Sequence, residues 1–497
     1  FTPSGCDFGN TAANPLDAPF ECNNKLVAAR CYNLGFSSAF DPSNPCGGDG
    51  VGTLPEEYQS ARDQDGHGSH TASTAGGNNG VPAEIEGTPL GYVSGMAPRA
   101  RIAAYKVCWN GSFPPAGYDN GCYSSDSAAA IDQAVADGVD VINFSIGGSG
   151  TNFNGADDIA FLFAADAGVF VATSQGNGGP GPQTTGTPSG VPWITAVGAM
   201  EDNQVFGTGL VVSDPAAIAA TYDGLEGISD VSLVDTGDIM APVVPSEPAD
   251  GCTPFTNAAD VDGNIALVIR GACSFSTKYT SAAAAGAQAI VVYNDGTAPD
   301  RINPIYMSAP GTTIPGVMIS YTDGALVAAT AASEPVTGMV GPSIVIPRVD
   351  RIANFSSRGP NGGAPDIIKP DITAPGVDIL AAQTPTPNDG QLPGQLFQII
   401  GGTSMDSPHV AGVFALLKEA HPDWTPAIAR SALMTTARQN LRKSFVDAPA
   451  DPFDMGAGQI VPNDAFDPGL AYDAGLFDYA AFTCGNNVPI FTPGSCD

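Results

Sequence analysis

Three short apolar runs, RIAAYKV (101–107), VDVINF (139–144) and VFVAT (169–173), are separated by stretches of helical length, and this spacing restricts the fold more than any other feature. Runs of this kind, with little polar alternation, suit strands buried on both faces. Ser125 or Asp126 can cap a helix whose Ile131, Ala134 and Val135 share one face, and a second helix is expected over residues 157–167. Strands joined through helices pair in parallel with right-handed crossovers. The expectation is therefore an α/β fold, a three-layer sandwich around a mostly parallel sheet, with any site at the carboxyl ends of its strands.

The 497 residues are too many for one hydrophobic core. Between about residues 204 and 341 the pattern changes to short strands and turn residues, with NIALVIR (264–270), Cys252, Cys273 and an Ala-rich helix around residues 281–289. This stretch is expected to be a small β-rich insertion, which divides the chain into residues 1–203, 204–341 and 342–497. The earlier style returns at residues 372–382 and in a long helix from Ser404 to about Ala420.

Lys and Arg number 18 against 51 Asp and Glu, a formal charge of −33. Such a surface repels phosphate backbones and anionic lipid, which argues against nucleic-acid and membrane partners. The ten cysteines fall as neighbours: Cys6 with Cys22, Cys31 with Cys46, Cys108 with Cys122, Cys252 with Cys273 and Cys484 with Cys496. None has the tight spacing of a metal site, so five local disulfides in an extracellular protein are expected, although spacing does not fix the pairing. No apolar run approaches the ~20 residues that span a bilayer. The chain opens on Phe1 with no signal peptide, which suggests a processed part of a longer precursor.

Three glycine-rich stretches carry the chemistry: DGHGSH (65–70), SQGNG (174–178) and GGTSMDSPH (401–409). Each alone has a plain reading. An Asn-Gly is usually a turn and a Ser before a helix is usually a cap. His67 and His70 could be a metal pair, but no glutamate stands between them and no third ligand is evident, so no metal site is expected. Together the stretches supply what attack on an amide carbonyl needs: a hydroxyl in Ser404, a base in His67 and an oxyanion donor in Asn177. At a helix start, the Ser404 N–H and the positive end of the helix dipole lie beside the oxyanion. Pro408, read as part of the first helical turn, loses no needed hydrogen bond there. Gly66, Gly68, Gly176 and Gly178 leave room for a substrate backbone.

These blocks resemble those of the subtilisin-like serine proteases: DGHGSHTA their histidine block, SQGNGG their oxyanion block and GTSMDSPHVAG their serine block. The resemblance covers most of residues 20–203 and 342–480. CNNKLVAAR (22–30) and DPGLAYD (467–473) resemble the cucumisin-like, or plant-type, branch, and residues 204–341 resemble the protease-associated domain inserted in that branch. The resemblance implies a secreted endopeptidase that acts as a monomer on protein or peptide substrates without an organic cofactor, with calcium left open. It implies Ser404 as nucleophile, His67 as general base and then acid, and Asn177 with the Ser404 N–H as oxyanion hole. It further implies that Ser145, Ile146 and Gly147 form the edge strand to which an extended peptide adds; the plain alternative is a strand end running into a glycine turn. His70 and His409 are expected to support the blocks, and His421 has no assigned role. Asp406, less usual at its position, would raise the basicity of His67 if close.

The family's catalytic acid precedes its histidine, at the end of the first core strand. Asp235, in SLVDTGD, follows both His67 and Asn177 and falls in the inserted segment. Asp63 and Asp65 belong to the loop of His67, and no apolar strand precedes Asp7. The strand carrying the acid is therefore expected outside this sequence, as is the β-domain that often follows in this branch. The runner-up reading is a catalytically impaired fragment or a peptide-binding relic. An esterase is disfavoured because Ser404 lacks the Gly-x-Ser-x-Gly elbow.

Overall fold

A computed structural model of the chain describes residues 5–6, 21–33, 60–85, 87–109, 121–201, 205–271, 273–297, 301–305, 307–344, 346–348, 350–385, 394–444, 448–488 and 490. The chain divides into two compact units, Phe1–Met200 with Ser356–Asp497, and Glu201–Phe355.

The first unit is built from β1 (Leu26–Cys31), α1 (His67–Gly76), β2 (Ile102–Lys106), α2 (Ser124–Asp137), β3 (Val141–Phe144), α3 (Ala156–Asp166), β4 (Phe170–Ser174), β5 (Thr195–Glu201), β6 (Ile372–Pro375) and α4 (Thr403–Ala420). β3, β4, β5 and β6 pair in that order, all in parallel, and β1 pairs in parallel with β2. Successive side chains of a strand face opposite layers. Phe170 and Ala172 accordingly join Val410, Val413, Phe414 and Leu417 of α4, whereas Val171 joins Phe161, Leu162 and Trp193 on the α3 side.

Among the described residues β2 and β3 are each paired on one side only. The same helices cover both: α2 packs on β2 while its Ile131 clusters with Phe144 of β3, and α1 packs on β3 while Gly76 lies against Ile102. β2 is half-buried throughout and β3 half-buried up to Phe144, although β4 and β5 are buried at every position.

The start of α2 departs from expectation. Its N-cap residue is Tyr123, with no side-chain cap, and the Tyr123 carbonyl takes the first bonds from Asp126 and Ser127. Ser125 and Asp126 lie inside the helix because the backbone alone closes the turn. Disulfides join Cys6–Cys22, Cys108–Cys122 and Cys252–Cys273, and Cys31 and Cys484 are also disulfide-bonded. Cys46, Cys496 and Asp7 lie outside the described residues.

In the second unit the strands Ala220–Glu226, Gly316–Ile319, Ala289–Tyr293, Ile265–Ile269, Ile239–Pro245, Thr337–Val340 and Val205–Asp214 are neighbours in that order, and the last pairs back with the first. A closed sheet has no free edge to manage. Ile265, Leu267, Ala289 and Val291 pack on one face, while Ala266, Val268, Ile290 and Val292 pack with Tyr279 and Ala282 of the helix Phe275–Ala284 on the other. The unit is therefore α/β in character rather than simply β-rich. Its helix begins earlier than the alanines suggest, because Ser274 accepts the Thr277 N–H as a cap. The unit runs on to Phe355 rather than Gly341 because the strand Ile346–Arg348 pairs with the start of Val205–Asp214. No described helix in the chain is long and apolar enough to cross a membrane.

α1 and α4 cross where Gly412 meets Ala75, and Gly412 lies about as far along α4 as Ala75 lies along α1. A methyl group at Gly412 would stand 2.7 Å from the Ala75 carbonyl oxygen and would also press on Met96. Gly412→Val should lower stability by about 1–3 kcal/mol through overpacking. Thermal unfolding checks this, and an unchanged midpoint would refute so close a helix contact.

Candidate active site

The loop before α1 is tied by one carboxylate. Asp63 accepts the N–H groups of Asp65 (3.1 Å), Gly66 (2.8 Å) and Ser69 (2.6 Å), and Asp65 accepts that of His67 (3.1 Å). Asp63 thus serves the first turn of α1 in place of a conventional cap, since Gly66 has no side chain to offer. Gly66 is required twice over: its φ is 100°, and a Cβ there would collide with Gln383. His67 is the first residue of the helix. Burial lowers its pKa from the usual value, opposed by the charges of Asp65 and Asp63, so the imidazole is neutral and basic at neutral pH.

Ser404 occupies the second position of α4. Its Oγ donates to the Ser145 carbonyl (3.3 Å), and the Ser145 Oγ donates back to the Ser404 carbonyl (2.8 Å). β3 ends one residue before Ser145, so the nucleophile candidate is tied to the carboxyl end of a strand. The second bond corrects the expectation for Pro408. The helix starts at Thr403, so Pro408 lies beyond the first turn, and its missing N–H leaves the Ser404 carbonyl without the usual helical partner. Ser145 supplies that bond from outside the helix.

Asn177 is exposed, and its Oδ1 accepts both the backbone N–H (2.9 Å) and the hydroxyl (2.8 Å) of Thr403. A backbone N–H can only donate, which fixes the orientation of the amide and leaves Nδ2 as an outward donor. The Thr403 hydroxyl also accepts the Gly176 N–H (3.0 Å), locking the loop onto α4. A methyl at Gly402 would sit 3.6 Å from Asn177 Nδ2, so glycine there keeps the donor accessible. Ile146 is half-buried and Gly147 is exposed, and Gly148 exchanges two backbone hydrogen bonds with Thr187 (2.8 and 3.0 Å).

Ser404, Asn177 and Ser145 are thus joined by hydrogen bonds directly or through Thr403, and His67 stands at the N-terminus of the adjacent helix. Among the described residues the His67 imidazole makes no hydrogen bond, and Ser404 Oγ is turned to Ser145 instead. The other histidines are structural. Buried His70 donates Nε2–H to the Ile379 carbonyl (2.8 Å), and burial pushes its pKa down to about 4. His409 donates Nδ1–H to Met405 (2.8 Å). His421 stacks on Trp424 at 4.0 Å and donates to the Phe466 carbonyl (2.9 Å), fixing the C-terminal end of α4.

Asp406 does not act as expected. It is fully buried, neither carboxylate oxygen has a well-formed hydrogen bond among the described residues, and burial drives its pKa well up. Asp406 is not among the charges that act on His67, which are those of Asp65 and Asp63. Asp235 lies in the second unit as part of a capping box on the helix Leu233–Thr236, exchanging backbone bonds with Ser232 (3.2 Å each). Among the described residues no group of three or more His, Cys, Asp or Glu is arranged to hold a metal. Sequence reasoning missed Thr403 and Asp63. A hydroxyl at the first helical position and an Asp three residues before a Gly-His were the available signals.

Asp65→Asn keeps the oxygen that accepts the His67 N–H and removes a charge that raises the imidazole, so the His67 titration, read by NMR, should move to lower pH. An upward move would contradict the assignment. For Asp406 the raised pKa means the folded state holds a proton that the unfolded state has lost, so stability falls as pH rises from the ordinary carboxyl value of about 3.9 toward the raised one. Asp406→Ser should remove that loss, and the gap between the variant's and the parent's melting temperature should widen with pH. A constant gap would count against a buried, uncompensated carboxyl.

Residues 48–458 match the family Peptidase_S8, the subtilase family. Subtilisin-like protease SBT1.3 of Arabidopsis thaliana is 37% identical, over 98% of this chain and 63% of its own length. Subtilisin-like proteases SBT1.6 and SBT5.4 of the same plant are 37% and 38% identical, over 94% and 93% of this chain and 60% and 59% of theirs. The chain therefore spans about three fifths of the length of the curated relatives it matches. With a family match across most of its length, the chain belongs to the subtilase family.

Proposed function

We propose that this chain is the catalytic part of a secreted serine endopeptidase. Ser404 is the nucleophile, His67 takes its proton and returns it to the leaving amine, and Asn177 Nδ2 with the Ser404 N–H binds the oxyanion. Ser145, Ile146 and Gly147 receive the substrate as an added strand, since the backbone of Ile146 and Gly147 makes no hydrogen bond among the described residues. The observation that carries the reading is the grip of Thr403 on Asn177 Oδ1, which leaves a fixed amide donor beside the N-terminus of the helix bearing Ser404. Donors held in place before reaction cost no reorganisation during it.

The acid that orients His67 is proposed on an extended segment seated between β2 and β3, which are covered by the same helices yet, among the described residues, paired on one side only. The second unit is proposed to be a protease-associated domain. The six disulfide-bonded positions described in the first unit, with the Cys252–Cys273 bridge, support an extracellular setting. One observation favours a second reading, a catalytically impaired or peptide-binding chain: no described carboxylate bonds to the His67 ring. In subtilisin, loss of the acid alone costs about 3 × 10⁴ in turnover.

The two readings separate on peptide hydrolysis by the protein purified from its source. The parent should cleave, and Ser404→Ala should reduce kcat by about a millionfold while leaving the melting curve unchanged. Cleavage that survives the substitution would reject Ser404 as nucleophile, and a parent that binds peptides without cleaving them would favour the second reading.

A further inference from the structure

A directed chain of hydrogen bonds runs behind the nucleophile. Ser407 Oγ, fully buried, donates to Asn143 Oδ1 (2.7 Å); Asn143 Nδ2 donates to Ser145 Oγ (3.1 Å); and Ser145 Oγ donates to the Ser404 carbonyl (2.8 Å). Every proton points the same way. The last bond fills the place that Pro408 cannot, because proline has no N–H for the carbonyl four residues before it. Ser145 has a single proton and could instead turn it toward Asn143. The Asn143 amide prevents this: by donating to the hydroxyl oxygen it leaves the Ser145 proton free for Ser404.

We propose that Asn143 is a positioning residue that sets the polarity of this chain, and through it the backbone of Ser404 relative to the substrate-binding edge. A carbonyl orphaned within a helix moves unless it is held, and a shift there carries with it both the Ser404 Oγ and the Ser404 N–H. Asn143 lies in β3, next to the edge residues Ser145, Ile146 and Gly147, so a single amide links the peptide-binding strand to the first turn of α4. This role rests on the reading of Ser404 as nucleophile.

Asn143→Asp tests it. The substituted side chain still accepts from Ser407, but when ionised it cannot donate, and it draws the Ser145 proton away from the Ser404 carbonyl. Protonated, it becomes an isostere of asparagine and restores the original direction. The ratio of the variant's kcat to the parent's should therefore approach one at acidic pH and fall by about tenfold or more as the introduced carboxyl ionises, a loss of the size expected from small misplacement of reacting groups. α1 and α4, which pack on β3, also bring His67, His70, Asp406 and His409. Those groups titrate in parent and variant alike, and the ratio removes what they share. KM should change much less than kcat.

Ser404→Ala is assayed alongside. If it retains the parent's activity, the nucleophile assignment fails and takes this inference with it. If Ser404→Ala is inactive but the Asn143→Asp ratio is independent of pH, the nucleophile stands and Asn143 is only part of the packing. Asn143→Ala, with its melting temperature measured, guards against simple misfolding: loss of kcat at an unchanged melting temperature supports the role, and full activity in this variant overturns it.

Discussion

The close crossing of α1 and α4 at Gly412 and Ala75 is the contact on which the rest of the first unit depends. The sequence puts His67 at the start of one of these packed helices and Ser404 at the second position of the other. The sheet supplies the third direction. β3 and β4 run in parallel with their carboxyl ends toward Ser145 and Ser174, so the segments that follow both bond to the first turn of α4. Neither helix could approach so closely with a larger residue than glycine at position 412, which is a steric requirement rather than a conformational one.

Around Ser404, side chains take over work that the helix backbone usually does. Pro408 withholds an N–H from the Ser404 carbonyl and Ser145 replaces it; Thr403 offers both its N–H and its hydroxyl to Asn177; Asp63 holds the first turn of α1 from outside the helix. Such substitutions tie each helix end to a loop or strand that a purely internal cap would leave independent. The electrostatics agree with that design. Burial keeps His67 neutral, two nearby carboxylates limit how far its basicity drops, and burial pushes the pKa of Asp406 well up.

Much of this was legible in the sequence because it depends on local pattern. The runs around Val141–Phe144 and Phe170–Ser174 read as strands since they are short, apolar and bounded by turn residues, and the three glycine-rich blocks, by their chemistry and their family resemblance, single out His67, Asn177 and Ser404 as candidates. What was not legible depends on residues far apart in the chain. That Pro408 would orphan the Ser404 carbonyl required the helix to start at Thr403, and that Ser145 would repair it required β3 to end beside α4. The first turn of α2 misled because Ser125 and Asp126 are good cap residues that fall two and three positions after the N-cap residue Tyr123. Asp235 was set aside by its place in the chain, and Ser-x-x-Asp at 232–235 is a capping box around the apolar pair Leu233 and Val234. The closed sheet of the second unit also had no local signature, because ring closure is set by which strands meet and not by what each contains.

The most direct test of the account is the site of covalent capture by a fluorophosphonate, mapped by mass spectrometry on the protein purified from its source. Such a probe bonds only to a serine whose proton is being removed by a neighbouring base. The account predicts one adduct, on the peptide that contains Ser404, and its disappearance when His67 is replaced by alanine. Capture at a different serine, or no capture in a protein that is otherwise folded, would contradict the claim that these two helix ends form a working nucleophile and base.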